Sequence, residues 1–193
     1  MKGFTRTETR FSLCGLHCAL CAMHLGGYCP GCGGGAGNQS CAIARCSLSH
    51  EGVQFCWECP EYPCPRYEGF DDVDSFVPHQ NRQQDIAQVR KLGLETCLAQ
   101  QTAKRAILDT LLAEYNDGRR KTLFTTAVYL LPLEELRTVM HVLESRPELT
   151  GKSIKERALA AVDLLQQAAD RHGISLKLRK KPILIDKGDG CHT

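Results

Sequence analysis

Apolar positions in the second half of the chain recur at helical spacing. From Asn81 to about Leu92 the pattern predicts a helix that ends at Gly93. A longer one follows to Tyr115, where Leu94, Cys97, Leu98, Ile107, Leu108, Leu111 and Leu112 fall three and four residues apart on one face. Asn116-Asp117-Gly118 is a turn signal. Thr122–Leu130 has the β-branched content of a strand, but a short buried helix is the preferred reading. Pro132 suits the first position of the next helix, with Glu134 and Glu135 near the positive end of its dipole and Leu133, Leu136, Met140 and Leu143 as its buried face. Ser153-Ile-Lys-Glu156 has the form of a capping box. The helix it opens carries Ile154, Ala158, Ala161, Leu165 and Ala168 and stops at Gly173. Ile174, Leu176 and Leu178 then alternate with polar residues and, with Ile183-Leu184-Ile185, predict a short β-hairpin or a pair of extended packing strands.

This pattern is absent from residues 11–68. Glycines are frequent there, and each costs about 1 kcal/mol inside a helix, so loops, turns and small hairpins are expected. Residues 69–80 read as a connector with Asp71, Asp72 and Asp74 solvated. The expected fold is mainly α: a small helical bundle (81–185) preceded by an irregular Cys-rich metal-binding N-terminal module (11–68), with the short hairpin near the C-terminus.

Charge narrows the picture by what it lacks. With 24 basic and 22 acidic residues the chain has neither a basic nucleic-acid footprint nor a polybasic membrane anchor. No run approaches the roughly 18 apolar residues of a membrane span. Met1–Arg10 is polar and Phe11–Met23 only partly apolar, so no secretory signal is expected and the cytoplasm is the expected compartment.

Cysteine changes the picture most. Ten of the 12 lie between positions 14 and 64: Cys14, Cys18, Cys21, Cys29, Cys32, Cys41, Cys46, Cys56, Cys59 and Cys64. In a reducing compartment such density points to metal rather than disulfides. Three C-x2-C pairs and a C-x4-C pair reinforce this, because a two-residue gap lets both thiolates of one turn reach a single tetrahedral ion. Two four-cysteine zinc sites use eight thiols; three sites would need two of His17, His24 and His50 as additional ligands. Sequential and interleaved pairing both satisfy the spacing. Four-thiolate sets also hold iron–sulfur clusters, so a [4Fe–4S] or thiol-redox protein is the alternative.

No complete catalytic constellation accompanies the thiols. Gly31–Gly37 matches no phosphate-binding loop, and Glu58 lacks the histidine of a metal-dependent deaminase, so it reads as solvated. Cys14-x3-Cys18-x2-Cys21 has radical-SAM spacing, but no strand–helix repeats follow. Phe55, Trp57, Tyr62, Tyr67 and Phe70 read as a small core over the metal; a base-stacking knuckle is the sharper alternative, with only Arg45 and Arg66 beside it. Cys97 reads as a buried inert thiol, Cys191 as an exposed thiol open to reaction, and the runs Arg119–Lys121 and Lys177–Lys181 as solvated surface. The reading that results is a structural-zinc interaction or regulatory module with an unknown protein partner.

The cysteine segment resembles the domain-of-unknown-function family 3795, described as cysteine-rich and predicted to bind zinc. The resemblance rests on Cys14-Gly15-x2-Cys18-x2-Cys21, Gly27-Tyr28-Cys29-Pro30-Gly31-Cys32, Cys41 and Cys46, and Cys56-x-Glu58-Cys59-Pro60-Glu61-Tyr62-Pro63-Cys64. Tyr115–Arg119 and Ile174–Arg179 look similar as well. It implies a metal-binding module and brings no activity, substrate or catalytic residue.

Overall fold

The computed structural model describes residues 2–35 and 41–180. Helices dominate: α1 (Ala22–Leu25), α2 (Ala42–Leu48), α3 (Arg82–Leu92), α4 (Leu94–Glu114), α5 (Lys121–Leu130), α6 (Leu133–Glu144) and α7 (Ile154–Arg171). Among the described residues there is no β-sheet, only an isolated antiparallel bridge between Phe11 and His17.

The five long helices follow the apolar periodicity closely. α4 turns Cys97, Leu98, Leu108 and Leu111 inward. α5 is a helix despite its β-branched residues, because nearly every position from Phe124 to Leu130 is buried. The exposed Thr125 hydroxyl donates to the carbonyls of Lys121 and Thr122, which removes its usual competition with the helix. Pro132 stands just before α6 as its cap rather than in its first turn, and Leu136, Val139, Met140 and Leu143 face the core. At α7 both arms of the capping box form: Ser153 Oγ accepts from the Glu156 amide at 3.3 Å, and Glu156 Oε2 accepts from the Ser153 amide at 3.0 Å. Ile154 is exposed, so the buried face begins at Ala158 and continues through Ala161, Leu165 and Ala168.

These faces meet in one core around Leu108, Leu111, Phe124, Leu136, Leu143 and Leu165. Leu20 from the cysteine-rich segment and Val77 from the connector belong to it too. A second cluster joins Phe11 and Phe55 to Val89, Cys97 and Leu98 of α3 and α4. A third, within the cysteine-rich part, holds Phe4, Leu13, Ile43 and Ala44.

Two expectations fail. Ile174–Leu178 is not a strand. Leu176 packs on the rim of the core, while the following backbone bonds to the connector: the Asp74 amide donates to the Arg179 carbonyl at 2.8 Å. The second arm, Ile183-Leu184-Ile185, lies outside the described residues. Asp71 and Asp74 are not solvated: Asp71 grips the buried Arg82 with two bonds of 2.6 Å, and Asp74 pairs with Arg179 at 2.7 Å. Asp72 alone of the three is exposed.

Candidate functional site

Local chain geometry gathers the last four cysteines of the run. α2 carries Cys46 on its final turn. A 3-10 turn begins at Cys56 and is closed by Cys59, whose amide bonds to the Cys56 carbonyl. Glu58 sets that turn, accepting from the amides of Gln54 and Phe55 at 3.0 Å each, so its carboxylate is a cap while the residue stays exposed as expected. Cys64 precedes another 3-10 turn that starts at Pro65. Cys46, Cys56, Cys59 and Cys64 thereby line one cavity of about 30 Å3, with His50 and Glu61 at its edge. Burial pushes the Cys56 thiol up to about 11. His50 Nδ1 lies 2.9 Å from the Cys46 carbonyl and 3.6 Å from its sulfur, and Nε2 meets Glu61 at 3.3 Å. Those acceptors raise the affinity of His50 for its second proton.

The earlier thiols form a neighbouring group. Burial pushes Cys14 up to about 12, and it raises Cys18 as well. The charges of Cys32 and Cys14 add to the effect on Cys18, and those of Cys32, Cys41 and Cys56 to the effect on Cys14, so these sulfurs lie within electrostatic reach of each other. The Leu13 amide donates to Cys32 Sγ at 3.5 Å, and Ser12 Oγ stands 3.2 Å from Cys14 Sγ. Two glycines let the chain fold back beside them. A Cβ on Gly31 would sit 2.5 Å from the Thr9 carbonyl oxygen, and one on Gly33 2.8 Å from the Arg6 amide; both have positive φ. Arg6 then ties the loop down, donating to the carbonyls of Phe11, Cys32 and Gln54. Cys21 packs against the helical core and Cys41 is exposed.

All eleven cysteines among the described residues are free of disulfides. Among those residues no group of three or more His, Cys, Asp or Glu side chains is placed so that it could hold a metal ion. The donor set nevertheless suits a soft or borderline cation: four thiols facing a space no larger than a few waters. Cys14, Cys18 and Cys56, raised by burial, stay protonated on their own, and a dication in their midst would reverse that balance.

The histidines divide. Of His17, His24 and His50, only His50 lines the four-thiol cavity. His24 Nδ1 bonds to the Cys29 carbonyl at 2.9 Å. His17 turns the other way, between α3, α4 and α5: its Nε2 is 3.1 Å from Asp85, Nδ1 meets the Gln101 amide, and its backbone amide donates to Tyr129 Oη at 3.1 Å. Periodicity offered no hint of this polar cluster, because Gln101 sits on a helix face that otherwise reads as apolar.

The aromatic residues divide: Tyr62 and Tyr67 line the four-thiol cavity, whereas Phe55 and Trp57 pack with Phe11 against α3 and α4. Phe55 and Trp57 stack at 4.3 Å, with Phe11 edge-on to Trp57. Tyr67 and Phe70 cover the Arg82 guanidinium, which lies 4.5 Å from the Tyr67 ring and donates to the Cys14 carbonyl at 3.3 Å. Cys97 is buried in the same cluster as Phe55, and Cys191 lies outside the described residues.

No family model, no curated protein and no solved structure matches this chain.

Proposed function

We propose that residues 11–68 form a zinc-binding module whose metal is structural, and that the chain acts as an interaction or regulatory protein for another protein. The observation that carries this reading is the single cavity lined by Cys46, Cys56, Cys59 and Cys64. These four thiols would hold one ion as thiolates. Cys14, Cys18 and Cys32 would supply most of a second set, with Cys21, Cys29 or Cys41 as its fourth member. Bound there, zinc cross-links loops that have little apolar surface of their own; in small zinc-finger peptides such binding is worth about 10–16 kcal/mol. His50 is best read as a polar neighbour that steadies Cys46 through its carbonyl.

Several features favour a structural over a catalytic role. Four protein thiols close a tetrahedral zinc without leaving a position for substrate. Phe55 and Trp57 spend their faces on each other, which argues against a base-stacking knuckle. A location in the cytoplasm is part of the proposal; no helix among the described residues is long and apolar enough to cross a membrane.

Metal analysis of protein purified with and without oxygen tests the reading. About two zinc ions per chain are expected in both preparations. Zinc below one equivalent in both would overturn it. Iron with labile sulfide in the anaerobic sample, with brown colour bleached by dithionite, would replace it with the iron–sulfur alternative.

A further inference from the structure

A second site lies apart from the four-thiol cavity, where His17 meets α3 and α4. A cavity of about 40 Å3 is lined there by His17, Asp85, Gln88, Gln100, Gln101 and Lys104. It opens into a groove of about 650 Å3 that shares Asp85, Gln88, Gln100 and Lys104 with it. Lys91 and Leu133 also line the groove. A narrow polar end joined to a wider amide-bearing channel is the shape of a small-molecule site.

The hydrogen-bond inventory of the inner end is unbalanced in a specific way. Lys104 Nζ has three N–H groups and uses one, on the Tyr129 carbonyl at 3.1 Å. Gln101 is 3% exposed, and among the described residues its Oε1 accepts nothing. Its amide nitrogen is committed to His17 Nδ1, so turning the side chain over would leave a donor stranded instead of an acceptor. Asp85 Oδ2 lies 3.1 Å from His17 Nε2, yet that contact does not complete a hydrogen bond, and no other described group supplies one. Gln101 and Lys104 are three residues apart on α4 and so share a face. The inner end therefore offers one cation with spare donors beside two acceptors that lack a donor. A buried polar group left in this state destabilises the folded chain until a partner answers it.

We propose that this cavity binds the zwitterionic head of a free α-amino acid. The carboxylate accepts from Lys104. The ammonium donates to Gln101 Oε1 and Asp85 Oδ2. The side chain runs out along the groove past Gln88 and Gln100. An amino acid inside a peptide lacks both charges and one at a peptide terminus lacks one of them, which commits the site to the free molecule. A carboxylate alone would leave both acceptors unanswered, and a cation alone would oppose Lys104. Burial also pushes the Lys104 ammonium down to about 8, so an anion beside it is favoured on charge as well as on geometry.

NMR of the full-length, metal-loaded protein tests this, following the Gln101 side-chain amide and the Lys104 ε-methylene during titration with glycine, L-alanine and L-glutamine. Saturable shifts are expected with at least one of them, and acetate or methylammonium should bind at least about tenfold more weakly. Lys104→Met should weaken the amino acid by a similar factor. Gln101→Leu, which removes the stranded acceptor without touching Lys104, should also weaken it and serves if Lys104→Met does not fold. The proposal fails if no amino acid saturates below about 50 mM, which would mean a cavity that holds water only. It also fails if acetate binds as well as the amino acids, or if both variants bind like the wild type.

Discussion

Arg82 shows how one side chain can hold two parts of this molecule together. It is 2% exposed, and its guanidinium is stacked under Tyr67 and Phe70 and bonded to Asp71 and the Cys14 carbonyl. Burial alone would pull the Asp71 carboxyl up, but Arg82 outweighs it and holds Asp71 below the usual carboxylate range. Asp71→Asn leaves the guanidinium without its counter-charge. Breaking a fully buried pair costs about 3–5 kcal/mol; Asp71 is partly exposed, so a loss of about 2 kcal/mol is expected in chemical denaturation. Lys104 gives a signed pH test. Its folded pKa, about 8, lies below the ordinary lysine value of 10.5, so its burden on stability is complete below pH 8 and lifts as pH rises toward 10.5. Lys104→Met should therefore gain most over the wild type at pH 7, and the gap in unfolding free energy should close between about pH 8 and 10.5; a constant gap would mean that Lys104 is not depressed. Asp85, the acid nearest in charge terms, pulls the other way and does not cancel the effect of burial. None of these roles was legible in the sequence. Asp71, Asp74 and Glu58 look like solvated acids because their partners are 11 and 105 residues distant in two cases, and a backbone turn in the third.

At the scale of elements, α3, α4, α6 and α7 were readable because each turns part of its surface to the core and has a recognisable start or stop, whereas α5, buried at nearly every position from Phe124 to Leu130, read as strand or helix alike. α7 depends measurably on its start. Ser153→Ala removes an acceptor from the first turn and should cost about 1 kcal/mol, seen as a lower Tm. Leu165→Ala, in the shared core, should cost about 2–5 kcal/mol; comparable losses from the two changes would contradict the packing described. The segment after α7 misled because alternation of Ile174, Leu176 and Leu178 records burial on the core rim as readily as burial in a sheet. α2 was missed for the opposite reason. Seven residues beside a metal-type cysteine pair carry too little periodicity to be distinguished from loop.

For the molecule as a whole, the cysteine spacing indicated which chemistry the N-terminal part is suited to, and the fold adds which thiols share a space. Spacing could not choose between sequential and interleaved pairing, since that depends on how loops 29–64 return across one another. Cys46 joins Cys56, Cys59 and Cys64 around one cavity only because α2 packs Ile43 and Ala44 inward beside Phe4 and Leu13. The two halves also share interior residues: Leu20 and Val77 sit in the helical core, while Phe11 and Phe55 pack on α3 and α4. Removing metal with a chelator should therefore raise hydrogen exchange across residues 11–68 most, reach α3 and the start of α4 next, and leave α5 to α7 protected. Uniform loss of protection would point to a single cooperative unit instead. The most direct measurement is X-ray absorption at the zinc edge on the purified full-length protein. A first shell of about four sulfurs at about 2.3 Å is expected. A shell of nitrogen or oxygen near 2.0 Å, or a protein without zinc, would contradict a structural thiolate centre.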